Sequence, residues 1–191
     1  IEVTERARRD FERLGYRTWE ALAWTTLGEI KRLGRDLDGA ELCYERSIDL
    51  WQQTGSRKVF YPRLNRAYVH LFRGEFERAQ STFHELMAIA EPWDLGWTIP
   101  GLHLGLLGCA AGLSEWDDWH THFTQIHAHL SQSGTVLDEY ALTIELVGDL
   151  SHERGRREEA HMAYELAMGQ WRGIENHARA DALRDKLVLD E

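Results

Sequence analysis

Apolar residues recur along this chain at helical spacing, and the recurrence itself repeats. One stripe runs through Trp24, Leu27 and Gly28 and a second through Ala40, Tyr44 and Ser47, with the polar break Gly34, Arg35, Asp36 between them. Residues three and four apart share a helix face, so this stretch predicts two helices folded back on each other. The first stripe returns as Leu64, Ala67, Tyr68, as Leu104, Leu107, Gly108 and as Ile144, Val147, Gly148, a step of 40 residues each time. The second returns as Ala79, Phe83, Leu86, as Trp119, Phe123, Ile126 and as Ala160, Tyr164, Ala167; Ala7, Phe11 and Leu14 form one more copy ahead of the first pair. A period this regular is the signature of stacked helix pairs, each burying its apolar faces against the next. A small third residue in the first stripe lets paired helices approach closely; Tyr68 departs from that rule and puts the register of its helix in question.

The pattern predicts an all-α chain of about ten helices, near 4–14, 18–33, 37–53, 58–73, 76–91, 95–113, 116–132, 136–154, 157–172 and 175–188, with no strands. Gly34, Gly74 and Gly155 fall between first and second helices, with Ser114 in the third unit, and Gly55, Pro92, Gly134 and Gly173 fall near the ends of second helices. These are the residues that stop a helix, through positive φ or a missing N–H. The expected division is a half repeat at 1–15, repeats at 18–54, 57–91, 95–132 and 136–172, and a capping helix at 175–189, all within one array over 1–191. The leading half repeat and the absence of an initiator methionine suggest a piece of a longer protein.

Composition narrows the class of function. A 43% hydrophobic content suffices for a folded core. The longest uncharged apolar stretch, Leu95 to Leu113, is broken by Pro100 and several glycines, so no membrane span is expected. Cys43 and Cys109 lie inside expected helices without partner spacing, which favours reduced thiols and a cytoplasmic setting. The net charge of −10 argues against direct nucleic-acid binding, which needs a basic surface to release counterions. The charge is concentrated in the middle: residues 81–153 carry 11 Asp/Glu and no Lys or Arg. At the chain's average, that segment would hold about eight basic residues, so chance is a poor explanation.

The stripes resemble tetratricopeptide repeats. That family carries Trp, Leu, Gly and Tyr on the first helix and Ala, Phe/Tyr and Ala on the second. Trp24, Leu27, Gly28 followed by Ala40 and Tyr44 match it, as do Val147, Gly148 followed by Gly155, Ala160, Tyr164 and Ala167, and the run Gly74 to Ala79 is similar to its inter-helix turn. The 40-residue period exceeds the usual 34, and Trp119 stands where a small residue is expected. Long repeats of this kind resemble the C-terminal regions of large bacterial signalling ATPases, kinases and MalT-like regulators. The resemblance implies a right-handed superhelical solenoid whose concave groove, lined by first helices, holds a peptide, a helix or a neighbouring domain of the same protein. A small-effector sensor controlling an attached domain is the alternative.

At 100° per residue, the first-helix positions turned away from the packing stripe are Thr25, Glu29, Arg32; Asn65, Val69, Phe72; Gly105, Cys109, Gly112; and Glu145, Asp149, His152. They form the expected groove: mixed at one end, small and apolar in the middle, acidic at the other, suiting a basic or amine-bearing partner. The basic set Arg57, Lys58, Arg63, Arg66 and Arg73 reads as a solvated stripe, or as a receptor for an acidic partner. The glycines at 101, 105, 108 and 112 read as a close-packing ladder, and Trp93, Trp97 and Trp116 as candidate exposed anchors. Glu145, Asp149 and His152 supply only part of a metal shell, and in the run His120, His122, His127, His129 the pairs are two or seven apart rather than four. No metal or cofactor is therefore expected. With no G-x-S-x-G, no H-E-x-x-H and no recognisable nucleophile pair, neither is an enzyme.

Overall fold

A computed structural model describes residues 2–188. The chain is 85% helical, and the described residues form ten α-helices and no strand. In chain order they are α1 (Glu2–Leu14), α2 (Arg17–Leu33), α3 (Leu37–Gln53), α4 (Phe60–Phe72), α5 (Phe76–Ala90), α6 (Ile99–Leu113), α7 (Trp116–Ser133), α8 (Asp138–Glu153), α9 (Arg157–Gly173) and α10 (His177–Val188). The expected helix over 58–73 begins as a 3-10 turn, Arg57–Val59, and that over 95–113 as another, Gly96–Thr98. Pro100 sits in the first turn of α6, where its missing N–H costs no hydrogen bond. Position 189 of the expected capping segment lies outside the described residues.

The helices fall into two compact units, Ile1–Asp94 and Leu95–Glu191. In the first, α2 packs on α1, α3 and α4, and α4 on α5; in the second, α6 packs on α7 and α8, α8 on α9 and α9 on α10. Connections of two or three residues between α2 and α3, α4 and α5, α6 and α7, and α8 and α9 make each pair an antiparallel hairpin.

The repeated stripes are the seams of these hairpins. Ala40, Tyr44 and Ser47 are fully buried, as are Ala79, Phe83 and Leu86 and also Trp119, Ile126 and Ala167, and Ala160 and Tyr164 are nearly so. On the facing helices Leu27, Ala67, Leu104, Leu107, Ile144 and Val147 are buried, and Trp24 and Leu64 half-buried. In α1 the corresponding trio is uncovered: Ala7 and Phe11 are half-buried and Leu14 is exposed.

The glycine in the first stripe has a specific partner. A Cβ on Gly28 would stand 2.5 Å from Cε1 of Tyr44, and one on Gly148 would stand 2.5 Å from Tyr164. The second repeat solves the same contact differently. Tyr68 is 2% exposed and meets Phe83 edge-on, ring centroids 5.2 Å apart, so its helix keeps the register of the others. Trp119, in the slot of a small residue, is accommodated by stacking on Phe123 at 4.8 Å.

Two turns differ from expectation in detail. Gly74, Gly155, Gly55 and Gly134 take positive φ as expected, but Gly34 does not (φ −79°), and the left-handed residue is Arg35 (φ 65°). Gly173 closes α9 within the helix, and Glu175 (φ 61°) makes the turn. Ser114 (φ 64°) takes the left-handed conformation that glycine supplies elsewhere.

Candidate protein-interaction face

The expected groove residues occupy inter-helix seams more than open surface. Thr25, Arg32, Val69, Gly105, Cys109 and Gly112 are buried; Glu29, Asn65, Phe72, Glu145 and Asp149 are half-buried; His152 is exposed. A helical wheel weighs one packing partner, but α2 and α6 each also lie beside the next first helix, which covers the flank of the stripe.

In the first unit these residues tie α2 to its neighbours. The hydroxyls of Thr25 and Ser47 are hydrogen-bonded at 2.8 Å, and Ser47 also donates to the Ala21 carbonyl. Asn65 donates to Glu29 at 3.0 Å, linking α4 to α2. Arg32, though buried, donates from Nε to the Tyr44 hydroxyl at 3.4 Å and lies over the Tyr68 ring, which compensates its desolvation in part. Arg35 covers the ring of Phe72.

Four of the five residues of the basic set are likewise engaged. Arg63 pairs with Glu85 at 2.6 Å, Arg73 with Asp38 and Glu41, Arg57 covers Trp93, and Lys58 lies against Trp51. Burial alone would raise the Glu41 pKa, but the hydrogen bond and charge of Arg73 outweigh it and hold the carboxyl below its usual range. Of the candidate anchors, Trp97 is 69% exposed, whereas Trp93 and Trp116 lie half-buried beneath Arg57 and Arg156.

The acidic end in the second unit is organised differently. Glu145 Oε2 accepts from the Trp171 indole at 2.9 Å, and Asp149 accepts from the Tyr164 hydroxyl at 2.7 Å, so α9 fixes both carboxylates. On their open side stand cations of α10: Lys186 pairs with Asp149, and Arg179 Nη1 lies 3.9 Å from Glu145 Oε2. The same cations cover the rings, Arg179 over Trp171 at 4.6 Å and Lys186 over Tyr164 at 5.1 Å. Each carboxylate with its aromatic neighbour thus holds one cationic side chain of α10. Side-chain exposures of 20% for Glu145 and 38% for Asp149 leave both reachable from solvent.

No family model and no curated protein sequence matches the chain.

Both cysteines are buried free thiols, and desolvation pushes the Cys109 thiol well up, away from the reactive thiolate. Among the described residues no three potential ligands gather around one point, and no helix is long and apolar enough to cross a membrane. Sequence reasoning examined the histidines of α7 among themselves and missed the partner that matters: His103 of α6 lies with Nδ1 2.9 Å from Nδ1 of His122. The two are 19 residues apart on the two legs of one hairpin, and no spacing along a single helix pairs them.

Proposed function

We propose that this chain is a protein-interaction module, a tetratricopeptide-like array in which α8 recognises a segment bearing cationic side chains. The right-handed superhelical course, the cytoplasmic setting and a role in bacterial signalling or regulation belong to the same proposal. The observation that supports it best is the pair of aromatic-backed carboxylates on α8, each already holding a cation from another helix. Arg179 and Lys186 are seven residues apart, two helical turns, so they reach the two receptors from one helix face. A partner helix with the same spacing has the same fit, and α10 occupies the face in cis.

The hold of α10 is modest. It buries Ala180 and Leu183, and full burial of a leucine contributes about 1.5–3 kcal/mol. Partly exposed ion pairs add roughly 0.2–1 kcal/mol each. A partner of micromolar affinity, about 8 kcal/mol, can displace such a helix.

The test is calorimetric titration of the 191-residue chain with a helical peptide carrying two arginines seven residues apart. Arg179→Glu with Lys186→Glu weakens the internal competitor and should raise the affinity. Glu145→Lys with Asp149→Lys should abolish binding, and unchanged affinity in that variant discards the site.

A further inference from the structure

We infer that the open flank of α1 is a docking site for an amphipathic helix of the kind that forms the first leg of this chain's own hairpins, with a carboxylate bordering its apolar stripe. The inference is independent of the reading of α8.

The trio Ala7, Phe11, Leu14 has four counterparts in α3, α5, α7 and α9, and every residue of those four is at most 7% exposed. Each counterpart lies against the first helix of its own hairpin, α2, α4, α6 or α8. Among the described residues α1 packs chiefly on α2, along the other edge of its trio: Phe11 meets Trp19 with ring centroids 6.1 Å apart, and Arg8 covers Trp24 at 4.5 Å. That contact holds α1 in place and leaves Leu14 56% and Val3 82% exposed. At 100° per residue Val3, Ala7 and Leu14 fall within about 40° of the helix surface, so they form one apolar stripe.

The covered trios define what fits the open one. Beside the aromatic ring of Tyr44 or Tyr164 lies a glycine of the first helix, so close that a Cβ would stand 2.5 Å from the ring. Phe11 is the aromatic residue of the open trio. The partner therefore carries a small residue opposite it, after a large apolar residue and a second apolar one at the spacing of Trp24, Leu27, Gly28.

The charge of the partner is read from the same comparison. In the α4–α5 hairpin Glu85 directly precedes the third residue of its trio and pairs at 2.6 Å with Arg63, which directly precedes the first residue of its stripe, Leu64. The place of Glu85 is taken on α1 by Arg13, 76% exposed and reaching Asp10 of its own helix at 3.4 Å. Arg6, also exposed, borders the stripe two turns earlier. The sign is inverted, so the matching helix has Asp or Glu where α4 has Arg63.

The experiment titrates the 191-residue chain with a neutral alanine–glutamine helix as long as α2, 17 residues, bearing Trp, Leu and Gly at the spacing of Trp24, Leu27 and Gly28. Two versions place Glu or Lys directly before the Trp, and binding is followed by fluorescence anisotropy of the labelled peptide and by amide exchange. The Glu version should bind, protect α1 and exceed the Lys version about fivefold in affinity, the scale of one exposed ion pair together with the repulsion it replaces. Arg13→Glu should reverse that preference, and Leu14→Glu should lower affinity about tenfold or more by placing a charge in the apolar contact. Glu145→Gln with Asp149→Asn, on α8, should leave the affinity of the Glu version unchanged. Arg13 and Leu14 are exposed, so their variants keep the fold, as thermal melts check. No binding of the Glu version, affinity untouched by Leu14→Glu, or an unreversed preference in Arg13→Glu overturns the assignment. So does dimerisation of the chain that Leu14→Glu abolishes, which gives the flank to a second copy.

Discussion

Alanine at Gly148 and alanine at Gly169 should shift stability in opposite directions, although both glycines are helical and both lie in the second unit. Removing a glycine from a helix interior gains about 1 kcal/mol in propensity at either site. At Gly169 a new Cβ meets nothing within 4 Å, so the gain stands alone. At Gly148 it meets Cδ1 and Cε1 of Tyr164 at 2.5 Å, about 1 Å inside ordinary contact. That ring is 2% exposed, anchored by its hydroxyl to Asp149 and overlaid by Lys186, so it has little room to retreat. Overpacking costs of about 1–3 kcal/mol therefore cancel or outweigh the propensity gain, for a net loss of up to about 2 kcal/mol. The two variants differ by the overpacking cost alone, so at about 2–4 °C per kcal/mol for a chain of this size their Tm values should differ by roughly 2–12 °C, with Gly148→Ala the lower. Differential scanning calorimetry reads both on the same transition. In a Tyr164→Leu background the ring edge is gone and Gly148→Ala should become close to neutral, the coupling expected of residues in contact. A Gly148→Ala protein as stable as Gly169→Ala would refute the glycine–tyrosine packing.

Further outcomes follow from individual environments. His70 is 1% exposed, with Glu75 Oε2 3.0 Å from Nδ1 at an angle too poor for a hydrogen bond. Desolvation lowers its pKa, with Arg78 and Arg66 adding to the effect and Glu41 and Glu75 opposing it. The unfolded imidazole then protonates first, so stability is full above pH about 6.5 and falls as pH drops below it. Urea midpoints at pH 7.5 and 5.5 should show this drop, and His70→Gln should shrink it; an undiminished drop places its origin elsewhere. Ser114→Gly relieves a left-handed residue and should raise Tm by about 2–4 °C, from roughly 1 kcal/mol, as read by thermal melting. Thr25→Val and Ser47→Ala should each cost about 1–3 kcal/mol in urea unfolding by leaving a buried hydroxyl short of its partner, while the double variant costs less than their sum.

The helices and hairpins were legible because each leans on one local period, 3.6 residues, and one long period of 40. The trio Ala160, Tyr164, Ala167 needed nothing but its own spacing and its likeness to Ala40, Tyr44, Ser47. The groove was less legible because it depends on what covers the flank of a first helix. Val69 and Cys109 look outward on a wheel that knows one neighbour, and are fully buried once a second is present. Arg35 and Glu175 took the left-handed turns beside glycines that seemed made for them, since a turn fixes which residue reverses the chain only when both helix ends are placed. Glu145 and Asp149 were found by charge and spacing, but their engagement by Arg179 and Lys186 depends on how α10 returns over α8, which no local pattern encodes. The imidazole pair was missed for the same reason, its members being 19 residues apart on two legs of a hairpin.

The most direct test of the proposed function is amide hydrogen exchange on the full chain with and without the two-arginine helical peptide. Displacement in cis predicts that His177 to Leu187 lose protection when the peptide binds, while α8 and α9 keep theirs, and that Glu145→Lys with Asp149→Lys removes the effect. Peptide binding that leaves α10 as protected as before, or that persists in the charge-reversed protein, would contradict the assignment of α8 as the recognition face.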